Sequence, residues 1–337
     1  MKFLTAEYSL DLLLKILSFA TPCMVFILKY LTFCIGSETV KHLLERVVSD
    51  WTLLKTDAEV EIMKRHCDFG RLFTWVFALG VYFGLVCYLL IQFAPNFLDI
   101  VSPRNESRLH YIPLTAEYFA DQQEYYLPIL LHIDVLAFIG FTTVISTESL
   151  ITVYTRHAIA MFEVSSYRIE HAFDQVLDMM TSRECCSHCG KIKNAVHVHR
   201  RALQFVDFLE SGFVISYFFL LCLGVTSLTA SLLRLFLAAQ YLDDIEECLI
   251  TMLLVFGHIY YIFNGNYTSQ KLIDQSTEVF CKIYSSQWYN APLHSQKLLL
   301  LMMKQAIKGA SLTVGTVFVA SLEGFASVIK CFNSSLH

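Results

Sequence analysis

The sequence predicts an all-α, polytopic membrane protein folded as a helical bundle. Three observations carry that expectation. The 337 residues are 55% hydrophobic and only 16% charged, whereas ordinary soluble domains are about one-quarter charged. Apolar runs long enough to cross a bilayer, roughly 20 residues each, recur along the chain. Basic residues gather in every second connection between those runs.

The runs cover residues 12–35, 72–96, 127–153, 212–238, 246–264 and 310–329. Each reads as a helix, because only helices and closed barrels satisfy their own backbone groups in lipid. Barrel strands would give short alternating segments, and the sequence has none. Pro22 lies inside the first run and Pro128 opens the third, where a spanning helix tolerates a kink. The first run is longer than a signal-peptide core and lacks a small-residue cleavage site, so it reads as a retained span.

Loop charge sets the orientation. Lys41, Arg46, Lys55, Lys64 and Arg65 lie in one connection; Arg156, Arg168, Arg183, Arg200 and Arg201 in a second; Lys271, Lys282, Lys297, Lys304 and Lys308 in a third. The connections between these hold few bases. The basic ones are therefore expected in the cytoplasm, with Met1 and His337 outside. The sequons at Asn105 and Asn333 fall on the expected outside; that at Asn266 falls inside and reads as chance.

The basic connections carry helical patterns of their own. Val40, Leu43, Leu44, Val47 and Val48 recur at helical spacing, with Ser37 and Glu38 as candidate caps. The stretches 157–180 and 196–210 read as helices projecting into the cytoplasm. Asp207 and Glu210 are expected to pair with Arg200 or Arg201. A net charge of −5 without a long basic run argues against nucleic acid as a partner. The 11 cysteines do not form a disulfide framework. Cys185, Cys186, His188 and Cys189, with His197 and His199, have one Cys-x-x-Cys pair suited to metal but no second. They read as free thiols, and neither a metal nor a cofactor is expected.

At this point the residues resemble the insect odorant receptors, in the form found in ants and related Hymenoptera. The stretches that carry the likeness are HAIAMFEVSSYRIEHAFD, HRRALQFVDFLESGFVISYFFLLCLGVTSLTASLLRLF, QWYNAPLHSQKLLLLMMKQAIKGASLTVG and SLEGFASVIK. The likeness covers nearly the whole chain. It implies seven spans with an external carboxyl terminus. It also implies an odorant-gated, non-selective cation channel in the plasma membrane of olfactory neurons, formed as a hetero-tetramer with a common odorant coreceptor. Against that pattern six of seven spans are present, the first being the one missing. Residues 331–337 lack the Tyr-Phe-Thr that family members carry at the outer end of the last helix.

The resemblance divides the chain into residues 1–265, a membrane bundle with an outer ligand pocket; 266–309, a cytoplasmic anchor; and 310–337, a pore-lining last helix with a short external tail. A small volatile apolar ligand needs an apolar and aromatic cavity. Phe19, Tyr82, Phe83, Tyr88, His132, Phe138, Met252 and Phe256, in the outer halves of the spans, are the candidates. Each is also suited to helix packing or lipid contact. His132, Asp134 and Glu148 are ionisable groups in or near one span, where such groups are costly; Asp134 reads as solvated. Gly315, Thr316, Ser321, Glu323 and Ser327 are the pore-lining candidates, Glu323 being equally suited to a neighbouring helix. Trp288, Gln296, Lys297 and Leu301 are candidates for subunit contact or for packing within one subunit.

The leading function is thus an odorant receptor subunit. The alternative is a truncated, non-conducting or regulatory membrane fragment of such a receptor. A G-protein-coupled receptor is disfavoured by the external carboxyl end, and no metal triad or nucleophile motif suggests an enzyme.

Overall fold

The computed structural model describes residues 10–101, 125–173, 182–241, 245–315 and 318–335. Six helices come first: α1 (Leu10–Ile35), α2 (Ser37–Trp51), α3 (Asp57–Val101), α4 (Tyr126–Phe173), α5 (Ser182–Tyr241) and α6 (Ile245–Ser285). A 3-10 turn (Trp288–Asn290) and α7 (Leu293–Lys308) follow. The chain then forms β1 (Thr313–Val314), β2 (Phe318–Val319) and α8 (Leu322–Ser335). Among the described residues five helices, α1, α3, α4, α5 and α6, are long and apolar enough to cross a membrane.

Neighbouring helices run antiparallel. On α1 and α5, Ser18 meets Arg234 while Phe33 meets Phe213 at 5.2 Å. On α3 and α4, Tyr82 meets Thr142 while Arg65 meets Glu163. On α5 and α6, Ser227 meets His258 while Arg234 meets Glu247. Trp75, Leu79, Phe83 and Leu90 lie along one face of α3 and are exposed. Such an apolar face is suited to lipid and not to water.

The helices outrun the bilayer. At 48 residues, α4 is about 70 Å long, against a hydrocarbon core of about 30 Å. The stretch 157–173 continues α4 without a break, and 196–210 belongs to α5; residues 174–180 lie outside the described residues. We call the end where these continuations pack the extension end. There Leu43, Met63, Tyr154, Phe162, Ile169, Phe205, Leu272 and Leu299 form one buried core drawn from six helices. Ser37 is the first helical residue of α2 and not its cap. Gly36 holds the cap position, makes no side-chain cap bond, and keeps its amide on Thr32 O at 2.8 Å.

Buried ion pairs fasten this core. Arg168 grips Glu59 with two parallel bonds of 2.8 and 2.7 Å, the bidentate form that guanidinium and carboxylate favour. Asp50, fully buried, accepts from His157 Nε2 at 3.0 Å and Arg201 Nε at 2.6 Å. Among the described residues the expected pairing of Asp207 or Glu210 with Arg200 or Arg201 does not form. Arg201 turns to Asp50 because α2 packs beside it, and Glu210 turns to Thr313.

The sixth expected span, and with it a continuous last helix over 310–329, is corrected by the structure. After α7 the chain passes Gly309 at φ +66, and Gly315 takes φ +62 between the two strands. Thr313 pairs with Val319 and Val314 with Phe318 in an antiparallel ladder. A left-handed residue breaks a helix, and β-branched Thr and Val favour the extended alternative. A Cβ on Gly315 would also strike the Phe218 ring. Glu210 receives the Thr313 amide at 3.2 Å, and Asn266 receives the Ser321 amide at 2.9 Å, seating the hairpin between α5 and α6.

Candidate functional site

An apolar, partly open cavity of about 200 Å³ lies among the helices of the bundle. Its walls are Phe73 and Phe77 of α3, Glu148 to Thr155 of α4, Leu209 to Leu228 of α5, His258 to Ser269 of α6, and the hairpin residues Leu312 to Val314. These segments are the parts of each span nearest the extension end. Four helices and the hairpin contribute its lining.

Its most polar feature is an ion pair. Lys29 of α1 is 1% exposed and joined to Glu148 Oε1 of α4. Tyr261 of α6 donates its hydroxyl to the same oxygen at 2.9 Å, and the Tyr217 hydroxyl of α5 lies 3.5 Å away. The Lys29 ammonium also stands over the Tyr217 and Tyr261 rings, 5.3 and 5.5 Å from their centres, where ring quadrupoles favour a cation. Four helices thus meet at one carboxylate. Glu148 stood out in the sequence as an ionisable group in a span. Its partner was signalled only by Lys29, the deeper of the two lysines in the run 12–35.

The outer-pocket candidates lie toward the other end of the bundle and none of them lines this cavity. The Tyr82 hydroxyl shares a 3.0 Å hydrogen bond with Thr142, and its ring stacks on Phe138 at 5.8 Å. Phe19 is half-buried beneath the Arg234 guanidinium, 5.3 Å from it. Arg234 itself is buried and bonded to Ser18 and Glu247, and Lys15 adds a 3.1 Å contact to Glu247. Tyr88 is half-buried, while Phe83, His132, Phe138, Met252 and Phe256 are exposed on the surface of the single chain. Asp134 is half-buried, and its Oδ1 is buried without a hydrogen bond.

The pore candidates occupy the hairpin and α8. Gly315 forms the turn, and Ser321 caps α8 by accepting the Gly324 amide at 3.0 Å. Glu323 and Ser327 are exposed on α8 and linked by a 2.9 Å bond from the Ser327 hydroxyl to the Glu323 carbonyl. Thr316 lies outside the described residues. Among the interface candidates, Trp288 is partly buried against the core, and Gln296 donates to Tyr289 O and Ala291 O at 2.8 Å each. Lys297 and Leu301 are exposed, beside exposed Leu293, Leu300 and Ile307.

Among the described residues no group of His, Cys, Asp and Glu is placed to hold a metal ion. The side chains of Cys185, Cys186 and His188 lie outside the described residues, as does Asn105. Asn266, the sequon read as chance, is buried and bonded to Ile262 O and the Ser321 amide.

Comparison with known proteins bears on this geometry. A family model described as 7tm Odorant receptor matches residues 9–332. The insect olfactory receptor OR5 from Machilis hrabei has a similar structure, with a TM-score of 0.79 at 16% identity over 98% of this chain and 81% of that one. The same receptor in complex with eugenol gives a TM-score of 0.77 at 15% identity over 97% and 81%. No curated protein matches the chain.

Proposed function

The chain belongs to the insect odorant receptor family, and on that premise we propose that it is an odorant-specific subunit of an odorant-gated, non-selective cation channel. It is a multi-pass membrane protein of a family of receptors and not of enzymes. In this reading it assembles with the common coreceptor as a hetero-tetramer in the plasma membrane of an olfactory neuron. The extension end lies in the cytoplasm and the carboxyl terminus outside. A small volatile enters among Phe19, Tyr82, Tyr88 and Phe138 at the outer end, and the last segment faces the pore. The eugenol held by OR5 from Machilis hrabei is a molecule of the kind expected.

One observation carries this reading above the rest: the family match runs from the start of α1 into α8, across bundle, extensions and last segment together. The exposed leucines of α7 support the subunit-contact role, since an apolar face on a helix outside the membrane is best covered by another chain. The test is calcium imaging of cells that express this chain with the coreceptor, against a panel of volatiles. Responses absent from cells with coreceptor alone support the reading. Their absence, with the chain present at the surface and bound to coreceptor, contradicts it.

A second reading has its own observation. The run expected as a pore helix is folded as a hairpin and a 14-residue helix. A subunit of that form associates with the coreceptor but does not conduct. Co-precipitation together with loss of coreceptor-agonist current would select it.

A further inference from the structure

We propose that the cavity at the extension end is a second ligand site, for a small neutral alcohol or phenol, separate from the outer odorant pocket. The pocket is partly open, and its space of about 200 Å³ exceeds the ~150 Å³ apolar cavity that is known to hold benzene. It suits a molecule of about eight to ten non-hydrogen atoms.

The polar groups on its wall select the class of molecule. The hydrogen bonds of Lys29, Tyr217 and Tyr261 all go to Glu148 Oε1, and Oε2 takes none among the described residues. The hydroxyls of Ser149 and Thr268, both in the wall, are buried without partners. Buried polar groups normally find a partner. The wall also holds Glu210, whose Oε1 accepts the Thr313 amide and hydroxyl. Glu148 Oε2 and the two hydroxyls fit a ligand with an O–H donor on an apolar body. Two carboxylates on the wall repel an anion, and at Glu148 a cation would compete with Lys29.

The site also shows space reserved by small residues. Gly224 of α5 and Gly265 of α6 both line the cavity, and a Cβ at either meets nothing within 4 Å. The wall includes Thr313 and Val314, so an occupant touches the last segment directly. Binding there has the means to bias that segment, to the extent that the molecule prefers one of its positions.

The test uses the purified full chain in lipid nanodiscs and needs neither coreceptor nor current, so it stands apart from the channel assay. A photoreactive octanol carrying an aliphatic diazirine is the probe, and labelled peptides are mapped by mass spectrometry. Labelling of residues 148–155, 258–269 and the hairpin is expected, with octanol competing and octyl methyl ether, which lacks the donor, failing to compete. Gly224→Leu fills the cavity and abolishes that labelling; Gly265→Leu, from α6, does the same should the first variant not fold. Gly257→Leu, also in open space but outside the wall, leaves it unchanged. Labelling confined to the outer end or to lipid-facing residues overturns the proposal. So does equal competition by the ether, or labelling that survives a folded cavity-filling variant.

Discussion

Lys29 and Glu148 form an ion pair inside the apolar bundle, and the carboxylate also receives the Tyr261 hydroxyl. Removing one partner leaves the other charge buried and uncompensated, at a cost of about 3–5 kcal/mol. Lys29→Met and Glu148→Leu are each expected to lower the melting temperature of the detergent-solubilised protein sharply. The double variant Lys29→Met/Glu148→Leu is expected to recover most of that loss, since a packed apolar pair of similar volume is often neutral. Additive losses in the double variant would show that the two residues act independently.

Arg168 and Glu59 give a second test, at the extension end. The guanidinium also donates to Leu53 O at 2.8 Å, so Arg168 ties the loop after α2 to α4. Arg168→Lys keeps the charge but loses the bidentate fork. It is expected to cost about 1.5–3 kcal/mol, the range for a hydrogen bond to a charged group. Arg71→Ala breaks a pair whose side chains are both more than 60% exposed, and its effect on thermal stability should fall within about 1 kcal/mol. Equal effects from the two substitutions would remove the special role given to Arg168.

Gly315→Ala places a Cβ against the Phe218 ring at a φ of +62. The left-handed backbone alone costs about 1–2 kcal/mol for an L-residue. Faster hydrogen exchange across residues 313–319 is expected, with the bundle core unchanged. Gly84→Ala, where nothing lies within 4 Å, serves as the control. Unaltered exchange in Gly315→Ala would mean that the hairpin is not the folded form of this segment.

Five of the expected spans were legible because each is a long apolar run, and the helical extensions because their apolar spacing persists beyond it. The last segment was not. Residues 310–329 are as apolar as the others, and nothing in that composition reveals that Gly309 and Gly315 take positive φ. The cavity was illegible for a different reason. In water a helix shows its buried face by its polar one, but lipid tails are as apolar as leucine. Phe83, Met252 and Phe256 therefore read the same whether they face a pocket, lipid or a partner. The Lys29–Glu148 pair was half-visible: each residue is conspicuous in its own run, yet their meeting depends on how α1 and α4 pack.

The proposed odorant pocket makes its own prediction. Tyr82 and Phe138 are stacked, and Tyr82 is anchored to Thr142. Phe138→Ala removes an aromatic wall, and truncating a large contact residue in a binding site commonly costs about 2 kcal/mol. An increase of about thirtyfold in half-maximal odorant concentration is expected, with surface expression unchanged. Tyr82→Phe, which keeps the stack, should shift it far less. An unchanged dose-response in Phe138→Ala would place the odorant elsewhere.

The most direct measurement is a whole-cell recording from cells expressing this chain with the coreceptor, while a volatile is applied. The account predicts a dose-dependent inward current that requires both proteins and reverses near zero when sodium and potassium are exchanged across the membrane. Surface assembly of the two proteins without any such current, across a broad odorant panel, would contradict it and leave the regulatory reading in its place.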